Sequence, residues 1–123
     1  MDSDNIIQST REALGLIGNT TDFNAEIIMH INSALGILNQ NGIGIKGFVV
    51  NDGSTWGDFK DPTQVVGNEM FNQLVPMFVF LKTKILFDPP PPSTVPFYDT
   101  EIKESLWRLR MEYEEDNYAA PIG

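Results

Sequence analysis

Few residues in this sequence are of types that could do chemistry, and their spacing decides what that chemistry could be. His30 is the single histidine, and there is no cysteine. A general base needs a group to orient it and a metal needs several ligands, so a lone histidine supports neither. Its expected role is structural: partly buried on the flank of a helix between Glu26 and Ala34, hydrogen-bonding a neighbouring element. Ser33, Ser54 and Ser105 lack the strand–turn–helix context of a nucleophilic serine. Asp52, Asp58 and Asp61 lie close together, and Asp52-Gly53 faintly resembles the start of a calcium loop. The stretch DGSTWGDFKD lacks the alternate-residue oxygen ligands and closing glutamate of such a loop, so turn and cap roles explain these aspartates better. Gly42, Gly44 and Gly47 are followed by no lysine–serine pair and lead into a predicted strand, which excludes a phosphate loop. No catalytic residue, cofactor or metal is expected, and the chain is not read as an enzyme.

Composition narrows the field further. The 123 residues carry eight Lys/Arg against seventeen Asp/Glu, a net charge of −9. That balance argues against wrapping nucleic acid, which needs a basic face. A chain this long folds as one domain with a radius of gyration of about 14 Å. The absence of cysteine is consistent with a reducing compartment. The opening MDSDNIIQST has neither the basic start nor the apolar run of a secretory signal, so none is expected.

The elements that must position these residues are read from apolar periodicity. Asp2-Ser3-Asp4 offers caps for a first helix, about Asn5–Leu16. Asp22 is expected to cap a second, about Phe23–Asn39, with Phe23, Ile27, Ile31, Ala34, Leu35 and Leu38 as its buried stripe. A glycine-rich connector leads to Phe48-Val49-Val50, read as a short strand or extended edge, and Asn51-Asp52-Gly53 signals a turn. Thr55 is placed to cap a helical turn with Asp58 at its third position. Val65–Gln73 reads as a weak helix ahead of the central one, LVPMFVFLKTKILF, which starts near Pro76 and stops at Asp88-Pro89. Its stripe is Leu74, Met77, Phe78, Leu81 and Ile85, with more apolar residues on the other faces. At about 20 Å it is too short to span a bilayer. Pro89–Pro92 favours a polyproline II spacer that Pro96 prolongs, before a last helix at about Thr100–Glu115. The fold expected is all-α: a small antiparallel bundle of about four helices, with a short extended segment between the second and third.

Two features exceed what a monomer of this size needs. Phe80, Phe87 and Trp107 lie off the main apolar stripes. They either complete a tight monomer or form subunit contacts, and the second reading is preferred because aromatic anchors dominate interfaces. The acidic run Glu112–Asp116 and the closing YAAPIG are either a fraying end or a segment that orders on a partner, anchored by Tyr113, Tyr118 and Ile122.

Three stretches taken together resemble one family: IMHINSALGILNQNGIG (Ile28–Gly44), GFVVNDGSTWGDF (Gly47–Phe59) and LKTKILFDPP (Leu81–Pro90). In that order they are similar to the small head–tail connector, or adaptor, proteins of tailed bacteriophages of Gram-positive hosts, over roughly Thr21–Met111. Pro76, a long Asp61–Gln73 segment and the extra Pro91-Pro92 depart from the family pattern. The resemblance implies a virion neck protein, assembled in the host cytoplasm as a ring of about twelve copies. The ring docks beneath the portal protein, extends the DNA channel, and offers a platform to a stopper or tail-completion protein. Residues 1–117 then form the helical adaptor domain and residues 118–123 a flexible tail that engages the portal. A ring of about twelve copies carries roughly −110 charges, which lets double-stranded DNA slide through without specific binding. Asp52, Asp58 and Asp61 are the expected channel-facing carboxylates. A different class of function, an acidic DNA-mimicking or host-protein-sequestering module, fits the charge. It fits the last helix less well, because Lys103, Arg108 and Arg110 interrupt its acids.

Overall fold

The computed structural model describes residues 4–16, 23–63 and 68–117, with the side chains of 68–70 and 113–117 outside the description. Five α-helices form: α1 (Ile6–Ala13), α2 (Asn24–Gln40), α3 (Trp56–Phe59), α4 (Asn68–Phe87) and α5 (Val95–Asn117). A 3₁₀ turn, Pro92–Thr94, leads into α5. No strand occurs among the described residues. Phe48-Val49-Val50, expected as a strand or extended edge, runs without a ladder, and the one bridge given is an isolated pairing of Asn5 with Thr55.

Local chemistry explains most of the helix ends. The α1 cap is Asn5, one residue beyond the expected Asp2–Asp4, and its side chain accepts the Gln8 N–H at 2.8 Å. Thr55 and Asp58 form the expected reciprocal box: Thr55 Oγ1 accepts the Asp58 N–H at 3.2 Å and Asp58 Oδ2 accepts the Thr55 N–H at 2.9 Å. At the end of α2, Gly42 adopts φ +82°, and the Ile43 N–H reaches back to the Leu38 carbonyl at 2.9 Å. This left-handed stop also brings Ile43 and Leu38 together in the core, where both are fully buried.

Three expectations are corrected. Phe23 does not join the buried stripe of α2: it occupies the N-cap position at φ +66° and is 59% exposed, while the expected cap Asp22 lies outside the described residues. Pro76 does not start the central helix, which begins eight residues earlier at Asn68 and carries the proline inside it. The missing N–H leaves the Asn72 carbonyl without its usual helical partner, and burial of this helix outweighs that loss. Pro96 does not prolong the loop either. It falls in the first turn of α5, where an absent N–H costs nothing, so α5 starts five residues before Thr100.

The central position of α4 follows from its composition. α5, α2 and α1 all pack on it. An element with neighbours on several sides needs apolar residues on several faces. Phe71, Val75, Phe78 and Val79 are its deepest side chains, and Leu74 and Leu81 are buried as well. Met77 and Ile85, expected on the same stripe, are only half-buried. Ile27, Ile31, Ala34, Leu35 and Leu38 of α2 face them, joined by Phe59, Ile43 and Leu109.

The connector between α2 and α3 is fixed by side chains rather than by a sheet. Asn32 on α2 accepts the Val50 N–H at 2.9 Å, and Asn39 bonds both the Ile43 carbonyl and the Gly47 N–H. The turn at Asn51–Ser54 closes on itself and receives the Asn5 amide on its Asp52 carbonyl at 2.6 Å. The Ile6 N–H then donates to Ser54 O, and the Trp56 N–H to Asp4 O, each at 3.0 Å. The start of the chain is thereby clipped to the connector.

Candidate functional site

His30 sits half-buried on α2, with Nε2 3.5 Å from a carboxylate oxygen of Glu26 one turn earlier. That nitrogen is buried without a hydrogen-bond partner, so the expected bond to a neighbouring element does not form. Among the described residues no group of three or more His, Cys, Asp or Glu could hold a metal ion, and no helix is long and apolar enough to cross a membrane.

The acidic connector residues are held by local bonds. Asp58 is fully engaged in the α3 capping box, and Asp52 is exposed at the turn tip. Asp61 accepts from the Thr63 hydroxyl at 2.7 Å and from the Thr63 N–H at 2.9 Å. Those two donors favour the charged form and hold its carboxyl below 3.8, the ordinary aspartate value.

The three aromatic residues singled out from the sequence occupy separate environments. Phe87, half-buried at the end of α4, meets the edge of Phe23 with ring centroids 5.5 Å apart. Phe80 lines an open cavity of about 610 Å³ between α1, the start of α3 and one face of α4. Trp107 stands on the outer side of α5, 61% exposed. Tyr118 and Ile122 lie outside the described residues, as does the side chain of Tyr113.

The cavity combines an apolar wall with polar groups at its edge. Ala13, Trp56, Pro76 and Phe80 supply the wall, while Asp4, Thr55 and Asn72 supply oxygen acceptors. Trp56 is locked in place because its indole N–H donates to Ser9 Oγ at 3.0 Å. Asn72 and Pro76 share this face of α4, so the interrupted helical turn borders the cavity. Neighbouring α1 carries the buried Arg11, whose Nη1 donates to Asn24 Oδ1 at 2.7 Å and ties α1 to the head of α2.

The outer face of α5 is larger than the sequence reading allowed. Phe97 is 70% exposed, and Met111 is also exposed. At about 100° per residue, Phe97, Met111 and Trp107 fall within roughly 80° of one another, facing away from buried Ser105 and Leu109. Lys103 and Arg110 lie one turn either side of Trp107, and both are exposed. A helix started at Thr100 leaves out Phe97; started at Val95, its wheel reveals the patch.

An apolar patch with cationic flanks on one side of the molecule, and an acceptor-rimmed cavity on another, suit association better than catalysis. No curated protein and no solved structure gives a significant match to the chain. A family model described as phage connector protein matches residues 6–116, nearly the whole chain and every helix described above. The chain therefore belongs to the phage connector protein family, whose members are structural proteins of the virion joining head to tail.

Proposed function

We propose that this connector forms a ring in the virion neck, docked beneath the portal, which extends the DNA channel and receives the next neck or tail-completion protein. Family membership over residues 6–116 supports the role, and the exposed Phe97–Trp107–Met111 face is the single structural observation that carries assembly. In this reading the helices are an antiparallel bundle around α4, residues 1–117 are the assembling domain, and residues 118–123 form the partner-seeking tail. Trp107 contributes to the subunit contact directly, and Phe80 and Phe87 do so from partly covered positions. Tyr113, Tyr118 and Ile122 anchor the tail on the portal.

Charge supplies the channel property. At −9 per chain, about twelve copies present roughly −110 charges, a wall that repels phosphates and leaves DNA free to slide. Asp52, exposed at a turn tip, is the best presented of the three proposed channel carboxylates; Asp58 and Asp61 share their charge with local donors. The test is imaging and composition of purified necks. A ring of this chain between portal and tail is the expected result. Recovery of the chain with a host DNA-binding protein, and not with virions, would overturn the proposal.

A further inference from the structure

Resting on that ring, we infer that its subunits join by a knob-and-hole contact: Trp107 on α5 of one copy enters the α1–α4 cavity of the next. The two surfaces belong to different elements, and Trp107 does not line the cavity of its own chain. Exposed aromatic and cavity therefore pair between copies, which makes the contact heterologous, the kind that closes into rings.

Size, polarity and charge agree. The cavity, about 610 Å³, lies within the roughly 300–1,000 Å³ range of sites that enclose ligands, ample for one indole. Its apolar wall of Trp56, Pro76 and Phe80 offers aromatic and aliphatic contact. A buried indole N–H needs an acceptor, and Asp4, Thr55 and Asn72 each present oxygen there. Among the described residues no lysine or arginine lines the cavity, and exposed Glu12 and Asp58 adjoin its lining residues Ala13 and Gly57. The incoming stripe carries the opposite sign, with Lys103 and Arg110 flanking Trp107. Glu104 shares the α5 face but lies toward Arg108, one helical turn on. A basic-flanked aromatic thus meets an acid-rimmed apolar hole, and that complementarity fixes a second copy of this chain as the occupant.

The native sequence contains no cysteine, so single thiols can be placed freely. Full-length Asp4→Cys and Lys103→Cys chains are mixed, as purified protein at high concentration and in assembled particles, and treated with a short bismaleimide. The expected product is a dimer containing one chain of each kind. Adding Trp107→Ala to the Lys103→Cys chain weakens association about 30-fold, a hot-spot loss of about 2 kcal/mol, and removes that product. A Ser33→Cys chain, changed on the exposed face of α2, replaces Asp4→Cys as the control and gives none. Rings or neck incorporation without the Asp4–Lys103 product, or with a Ser33 product in its place, overturn the knob-and-hole contact and leave the connector reading standing. Chains that neither self-associate nor enter particles sink both.

Discussion

Replacing Gly44 by alanine should be among the most damaging single-methyl changes available in this protein. Gly44 sits at φ +82°, and a Cβ there would lie 2.3–2.7 Å from three ring atoms of Phe59. The ring cannot swing aside: Phe59 is fully buried, with Phe48 and Phe71 packed at centroid distances of 5.5 and 6.3 Å. Two costs add. A left-handed alanine costs roughly 1–2 kcal/mol, and forcing a methyl into a packed core costs about 1–3 kcal/mol more. Gly47 is the internal control, because it has nearly the same φ, +81°, with nothing within 4 Å of an added Cβ. Gly47→Ala should therefore lose only the first increment. In urea titrations the two variants should differ by about 1–3 kcal/mol, with Gly44→Ala the weaker, equivalent to a gap of roughly 4–12 °C in Tm. Equal destabilisation would refute the close approach of Phe59 to the connector.

Three further outcomes follow from particular contacts. Thr55→Ala removes one half of the α3 capping box and should lower stability by about 1 kcal/mol in the same titration. Trp107→Ala should change stability by less than about 0.5 kcal/mol while Phe78→Ala, in the core, loses about 3–5 kcal/mol; comparable losses would mean that Trp107 packs within its own chain. Asp61 should titrate below 3.8 by NMR, and Thr63→Ala should return it toward that value. Because the folded value is the lower one, the Asp61 contribution is present above the ordinary carboxylate pKa and is lost as pH falls through the folded pKa. An unshifted midpoint in the parent chain would show that Thr63 does not hold the carboxylate.

The sequence was most informative where a local rule acts alone. The Thr55–Asp58 box, the turn at Asn51–Gly53 and the α2 stripe from Ile27 to Leu38 needed only cap chemistry and periodicity. It misled where tertiary packing overrides a local preference. Pro76 and Pro96 are tolerated inside helices, the first because α4 has partners on several sides and the second because a first turn has spare donors. Phe48–Val50 looked like a strand because its residues favour extended backbone, yet the bond given to Val50 comes from the side chain of Asn32. The cavity was invisible for another reason. Asp4, Trp56 and Pro76 are distant in sequence and converge only when α1 and the connector clip together. Trp107 was legible as surplus, but its companions Phe97 and Met111 depended on knowing where α5 begins.

The central claim is that copies of this chain close around a channel at the head–tail junction, and a reconstruction of the virion neck tests it most directly. The account predicts a closed ring of this chain directly beneath the portal, with the outer face of α5 at every subunit junction and Trp107 covered. A neck with no such layer, or heads that join tails equally well without the chain, would contradict it.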